Sequence, residues 1–259
     1  MLLSICIPTY NRERYLRSLL ESLMPQLDGL PDGEVELLVS DNKSEDGTAK
    51  LCRSIVRPFM RFWTNDVNIG GDRNFLKCIS EAKGEYVWLV GDDEMAAPGA
   101  VARVLDFLRK NRPGLMIADE KASVDGDMFP DYKTLLAARP ANFALVHTLI
   151  SANVFRRDLF DMELAVEKLW VQYAHMFGIM SRMTEQSIGV MSSFVATQPV
   201  RAEFAKYPSC LCVKQAVYLW FLAKRLDLPR LRRRAISNAC NLPVEYASRV
   251  WNFMRRKRG

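Results

Sequence analysis

Three consecutive acids, Asp92, Asp93 and Glu94, follow the apolar run Tyr86–Val90 and Gly91 in the stretch GEYVWLVGDDEMAAPG. Carboxylates this close repel one another. One bland use for them is the first turn of a helix, whose N-terminus favours negative charge. Pro98 and Gly99 do mark a helix start, but the acids precede it by several residues. A divalent cation relieves the repulsion directly, because hard ions such as Mg2+ and Mn2+ prefer carboxylate oxygen and keep positions open for phosphate oxygens. A second segment, NDVNIGGDRN, offers Asn68 and Arg73 beside Gly70 and Gly71, and glycines let a ligand approach the backbone closely.

The elements needed to bring these pieces together are also visible. Leu2–Pro8 and Val35–Asp41 are short, nearly all-apolar runs, as strands buried on both faces should be. Met60–Asn65, Tyr86–Val90 and Leu115–Asp119 read the same way. Between them lie helical patterns: Tyr15, Leu16, Leu19, Leu20 and Leu23; a segment after Ser44, which is expected to cap it; Arg73–Ala82; and Val101, Val104, Leu105 and Leu108. Alternation of this kind predicts an α/β fold with a mostly parallel sheet. In such sheets ligands bind outside the carboxyl ends of the strands. Those ends deliver Pro8, Thr9, Tyr10, Asn11 and Arg12, then Asp41 and Asn42, then the glycine-rich segment, then the three acids.

After Asp119 the rhythm breaks. Residues 121–142 are expected to form a polar excursion, Phe143–Phe155 a strand, Asp158–Met183 amphipathic segments, and Ile188–Val195 a strand. From Ser209 onward the pattern is helical. Hydrophobic residues make up 49% of the 259-residue chain, ample for a packed core. No apolar run is long enough to span a membrane, and the N-terminal MLLSICIPTYN reads as structure, not as a secretion signal. The six cysteines form no CxxC pair and only two histidines are present, which argues against a zinc site and for small core thiols.

The charge is divided unevenly. Lys224–Gly259 carries eleven Lys/Arg against two acids, whereas the other 223 residues carry 25 bases and 28 acids. A basic tail on a slightly acidic body asks for an anionic partner of the tail alone. Tyr246, Ala247, Val250, Trp251 and Met254 share one helical face, followed by Arg255, Arg256, Lys257 and Arg258. This pattern suits a docking helix with a solvated basic end, or an interfacial helix on anionic lipid. Nothing in it is a nucleic-acid recognition module.

SICIPTYNRERYLRSLLESL, LLVSDNKSEDGT and NIGGDRNFLKCISEAKGEYVWLVGDDE, in unbroken order over about residues 2–119, resemble the nucleotide-sugar half of the family 2 glycosyltransferases. The resemblance implies an A-type glycosyltransferase fold, a Rossmann-like sheet flanked by helices with a helical C-terminal extension. Residues 1–119 would bind the donor, 120–208 the acceptor, and 209–259 would form the basic extension. GDDE, with SANVFRRDLF and YAHMFGIM later, is similar to the abequosyltransferases of O-antigen assembly.

Carried over position by position, the resemblance puts Pro8, Thr9, Tyr10 and Asp41 around the nucleoside and Arg73 towards the diphosphate. Asn11, Arg12, Asn68, Gly70 and Asp92 belong to the same donor site. Asp93 is the metal contact, with Glu94 beside it, for Mn2+ or Mg2+. Gly91 stands where the family has its first acid, which leaves Asp92 and Glu94 to compensate. The implied reaction moves a sugar from a nucleotide-diphosphate donor, with inversion, to a glycan or polyprenyl-linked oligosaccharide. Its base falls on His175, where family members carry an acid, with Asp158 and Glu163 behind it; imidazole titrates near ~6.5 and is largely neutral at pH 7. His147 reads as core or acceptor-site wall. Such an enzyme would work in the cytoplasm, peripheral on the anionic inner membrane. Two rival readings are a sugar nucleotidyltransferase, disfavoured because PTYNRE lacks a glycine-rich loop, and a catalytically silent sugar-nucleotide-binding protein.

Overall fold

The computed structural model describes residues 1–119, 126–139, 150–171, 173–192, 195–197, 208–229 and 235. Its first half alternates strand and helix: β1 (Leu3–Thr9), α1 (Glu13–Leu27), β2 (Val35–Asp41), α2 (Thr48–Ser54), β3 (Met60–Thr64), α3 (Gly71–Glu81) and β4 (Tyr86–Leu89). A short strand β5 (Glu94–Ala96), helix α4 (Ala100–Asn111) and β6 (Leu115–Ala118) follow. The second half contributes β7 (Asp127–Phe129), α5 (Tyr132–Ala138), β8 (Asn153–Arg156), α6 (Met162–Glu167), α7 (Ala174–Met183), β9 (Ile188–Met191), β10 (Val195–Thr197) and α8 (Pro208–Leu226).

Eight strands form one sheet in the order β3-β2-β1-β4-β8-β6-β9-β7. The β3-β2-β1-β4 half is parallel throughout, while β8 runs antiparallel between β4 and β6. The two halves of the chain therefore share a single sheet. Alternate residues of each central strand feed opposite cores, because strand side chains point to opposite faces. Ile5, Ile7, Leu37, Val39, Tyr86 and Trp88 pack with α1 and α4, whereas Cys6, Leu38, Val87 and Leu89 pack with α3 and α7. This double burial is why those strands read as continuous apolar runs.

Four sequence expectations are corrected. Ser44 does not cap α2: the helix starts at Thr48, whose N–H is accepted by Asp46, and Ser44 instead accepts the N–H of Asn11. The excursion after Asp119 contains β7 and α5; Tyr132, Leu135 and Leu136 bury a short apolar face that the surrounding Gly and Pro obscured. Of the strand expected over Phe143–Phe155, residues 143–149, including His147, lie outside the described residues; 150–152 form a 3-10 turn and β8 begins only at Asn153. Ile188–Val195 divides in two, since β9 joins the main sheet while β10 pairs antiparallel with β5.

Candidate functional site

The carboxyl ends of β1, β2 and β4 open together into a cleft of about 460 Å³. Pro8, Thr9, Tyr10, Arg12, Asn68, Gly70, Asp92 and Asp93 all line it, so most residues singled out in the sequence converge there. A second cleft of about 440 Å³ opens at the amino ends of the strands, around Leu30, Phe59 and Arg61, and shares none of them.

The turn after β1 is held from below. Asn11 adopts the left-handed region at φ 52, which asparagine tolerates better than most residues. Its N–H reaches Ser44 Oγ at 2.8 Å and its Oδ1 accepts the N–H of Glu45 at 2.7 Å, which locks the β1 turn onto the β2 turn. Asp41, fully buried at the end of β2, accepts the N–H of Ser44 on Oδ1 at 3.0 Å. Its other oxygen, Oδ2, is buried with no hydrogen-bond partner among the described residues. A buried acceptor left unmade costs about 1–3 kcal/mol, and Asp41 itself does not line the cleft, although Thr9 and Asn42 next to it do.

An asparagine network fixes the glycine-rich loop. Asn42 Oδ1 accepts from the Asn65 side chain and from the N–H of Ile69, both at 3.0 Å, and Asn42 Nδ2 donates to Asn68 Oδ1 at 2.8 Å. Asn68 Oδ1 also takes the N–H of Gly70, whose φ of 84 favours glycine. Asn74 closes the network to Ser40 and Asn65. Sequence reasoning passed over Asn65 and Asn74, although four asparagines around one loop were a readable signal. Arg73 is exposed on the first turn of α3 and is not part of the cleft wall.

The three acids have different surroundings. Asp92 is 8% exposed; it accepts the Thr9 hydroxyl at 2.8 Å and lies 3.5 Å from Arg12 Nη1. Burial pushes its carboxyl up to about 6, the Arg12 charge and the Thr9 hydrogen bond pull it down, and Asp93 pushes it up again. Asp93 is the most open of the three and accepts Arg12 Nη1 on Oδ2 at 3.0 Å. Glu94 is buried, with one oxygen accepting from Ser151 Oγ at 2.5 Å and the other from the N–H of Gly91 at 3.2 Å. Ser151 was invisible in the sequence, since only the fold carries it to Glu94 from 57 residues away.

Among the described residues no group of three or more His, Cys, Asp or Glu side chains is arranged to hold a metal ion. The donor set fits an ion that takes one hard oxygen ligand from the chain, Asp93, and its other ligands from phosphate and water.

His175 sits in the first turn of α7, 3% exposed, one aromatic ring removed from the cleft. Its ring meets Phe75 edge-on at 5.8 Å and Tyr173 at 6.3 Å, and Phe75 lines the cleft. Asp158 is placed at the opposite edge of the sheet, because β8 runs against β4 and carries it beyond Tyr86; there it pairs with Arg156. Glu163 is exposed on α6. Neither acid shares the cleft.

The family model described as Glycosyl transferase family 2 matches residues 4–151. Over 124 residues the chain is 38% identical to Abequosyltransferase RfbV of Salmonella typhimurium, a match covering 47% of this chain and 36% of that protein. The chain thus spans well under half the length of this curated relative. Among solved structures, S. aureus TarS 1-349 in complex with UDP superposes with a TM-score of 0.63 at 20% identity, covering 95% of this chain and 76% of that one. The mannosyltransferase PcManGT from Pyrobaculum calidifontis, in complex with GDP-Man and Mn2+, gives 0.55 at 17% identity and covers 99% and 76%. These two superpositions bear on the fold, which is the A-type glycosyltransferase fold.

Proposed function

The chain belongs to glycosyl transferase family 2, and on that premise we propose that it transfers a sugar from a nucleotide-diphosphate donor to a hydroxyl of a glycan or lipid-linked glycan, with inversion and with a divalent metal. The observation that carries this reading is one cleft that unites the glycine-rich loop at Gly70 and Gly71 with Arg12, Asp92 and Asp93.

The donor's base would give an N–H to Asp41 Oδ2, with Pro8, Thr9 and Tyr10 beside it. Its diphosphate would lie over Gly70 and Gly71, within range of Arg12. Asp93 would hold the Mn2+ or Mg2+, which supplies positive charge to the departing nucleoside diphosphate. The acceptor oxygen bonds to the anomeric carbon as the bond to phosphate breaks, and the hydroxyl proton passes to a base. His175 is the proposed base, reached when the Phe75 ring turns aside. Arg73, on the turn whose Gly71 lines the cleft, is a second cation at that side. We further place the protein on the cytoplasmic face of an anionic membrane, through its basic tail, where lipid-linked acceptors reside.

Thermal-shift screening against UDP-, GDP-, CDP- and TDP-sugars with Mn2+ identifies the donor. Asp93→Ala is expected to abolish transfer while the protein stays folded, and full activity in that variant would remove the metal from the reading. His175→Ala is expected to lower kcat by about 10²-fold or more, and a loss below about tenfold would assign His175 to packing.

A further inference from the structure

The Arg12 guanidinium occupies the carboxylate that the donor-site reading gives to the metal. Nη1 lies 3.0 Å from Asp93 Oδ2 and 3.5 Å from Asp92 Oδ1, so one cation bridges the acid pair. A guanidinium and a divalent ion on the same oxygen compete for its lone pairs and repel each other at a few ångströms. They are therefore alternatives at Asp93. The same guanidinium lines the cleft with Gly70 and Gly71, and its planar fork of donors matches the paired oxygens of a diphosphate.

The way Arg12 is held allows it to change partners. Its carbonyl accepts the N–H of Leu16 at 3.0 Å as α1 begins, and its own N–H reaches Thr48 Oγ1 at 3.4 Å, so the backbone is anchored. Its side chain is 22% exposed and rests near the Tyr15 ring, 5.8 Å from the centroid, so the guanidinium is not enclosed. Three or more rotatable bonds separate that fixed backbone from the charged end.

We infer that Arg12 is an exchangeable counter-ion. Without ligand it neutralises Asp92 and Asp93; when a nucleoside diphosphate enters, the guanidinium transfers to the phosphates and releases Asp93 to the metal. This rests on the donor-site reading and adds a consequence to it. Metal and nucleotide each bind poorly alone and strongly together, because each relieves a charge the other needs moved. Such coupling is reciprocal, so either ligand raises the affinity for the other by the same factor.

Mn2+ binding tests this directly, read from the electron paramagnetic resonance signal of the free ion and without any turnover. In the unsubstituted protein, Mn2+ affinity should rise about tenfold or more when UDP, GDP, CDP or TDP is added, after correction for the Mn2+–nucleotide complex. Arg12→Met should bind Mn2+ alone about tenfold more tightly than the unsubstituted protein, and the nucleotide should then raise that affinity by a clearly smaller factor, the part that remains being ligation of the ion by the phosphates themselves. Arg12→Gln keeps length and polarity without charge and should behave alike, so it decides the matter if the Met variant does not fold. Unchanged Mn2+ affinity in both variants, or a full nucleotide effect surviving in them, would overturn the exchange. Failure of every nucleoside diphosphate to bind, while both variants still gain Mn2+ affinity, would instead overturn the donor reading and leave the Arg12–metal competition standing.

Discussion

Asp92 is where burial and pairing pull in opposite directions, and burial wins: the carboxyl is pushed up to about 6 although Arg12 and Thr9 both favour its charged form. Its folded value lies above that of an unfolded aspartate, ~3.9. The folded state therefore binds the proton more tightly between about pH 4 and 6, and stability falls as pH rises through that window. Above it the destabilisation is fully present. Asp92→Asn removes the titration while keeping an acceptor for the Thr9 hydroxyl. Urea unfolding of metal-free protein should show the variant more stable at pH 7 by about 1–3 kcal/mol, with the decline between pH 4 and 6 abolished. A less stable variant at pH 7 would mean that the Arg12 pair outweighs burial. The acids themselves were legible, because three carboxylates after a buried strand leave few structural uses. Their partner was not. Arg12 meets Asp93 across 81 residues of sequence, and nothing local in either segment specifies the pair. The exposure of Arg73 and the burial of His175 were equally hidden, since both depend on which face of a helix meets the sheet.

The acid turn itself is built by Gly91, Glu94 and the pairing of β5 with β10. A side chain at 91 would place its Cβ 3.0 Å from Asp93 Oδ1 and 3.4 Å from Glu94 Oε2. The absence of the family's first acid is thus tied to Glu94, whose carboxylate approaches the same space from three residues on and ties down the Gly91 N–H. Gly91→Asp, which restores the family pattern, should crowd the turn, add a fourth carboxylate, lower Tm by several degrees and reduce transfer about tenfold or more. A gain in activity would show that Gly91 is a plain loss and that Glu94 does not occupy its place. At this scale the reading from sequence was good for β1, β2, β4, α1, α3 and α4, whose apolar periodicity is long and unbroken. It failed where a short apolar run is ambiguous between strand, turn and helix, as in Tyr132–Ala138 and around Ile150–Arg156. The insertion of β8 between β4 and β6 was unreadable in principle, because antiparallel pairing across a shared sheet leaves no local mark.

Among the described residues no helix is long and apolar enough to cross a membrane, and α8 ends at Leu226 just as the basic tract begins. From Lys224 to Gly259 eleven basic residues stand against two acids, with 25 bases and 28 acids elsewhere, so attraction to an anionic surface would act mainly on the C-terminal segment of the chain. Each basic residue near such a surface is worth about 1 kcal/mol, and the interaction decays within a Debye length. The full chain should therefore cosediment with vesicles rich in anionic lipid, fail to do so with neutral vesicles, and be released by about 0.5 M salt. Replacing Arg255, Arg256, Lys257 and Arg258 together by serine should weaken vesicle binding by about tenfold or more while leaving transfer to a soluble acceptor unchanged. Replacing Trp251 by alanine separates the two contributions. If the apolar face inserts, that variant also loses vesicle binding at low salt; if only charge acts, its binding follows the unsubstituted protein at every salt concentration. Binding unaffected by the four serines would place the tail against the protein body instead of the membrane.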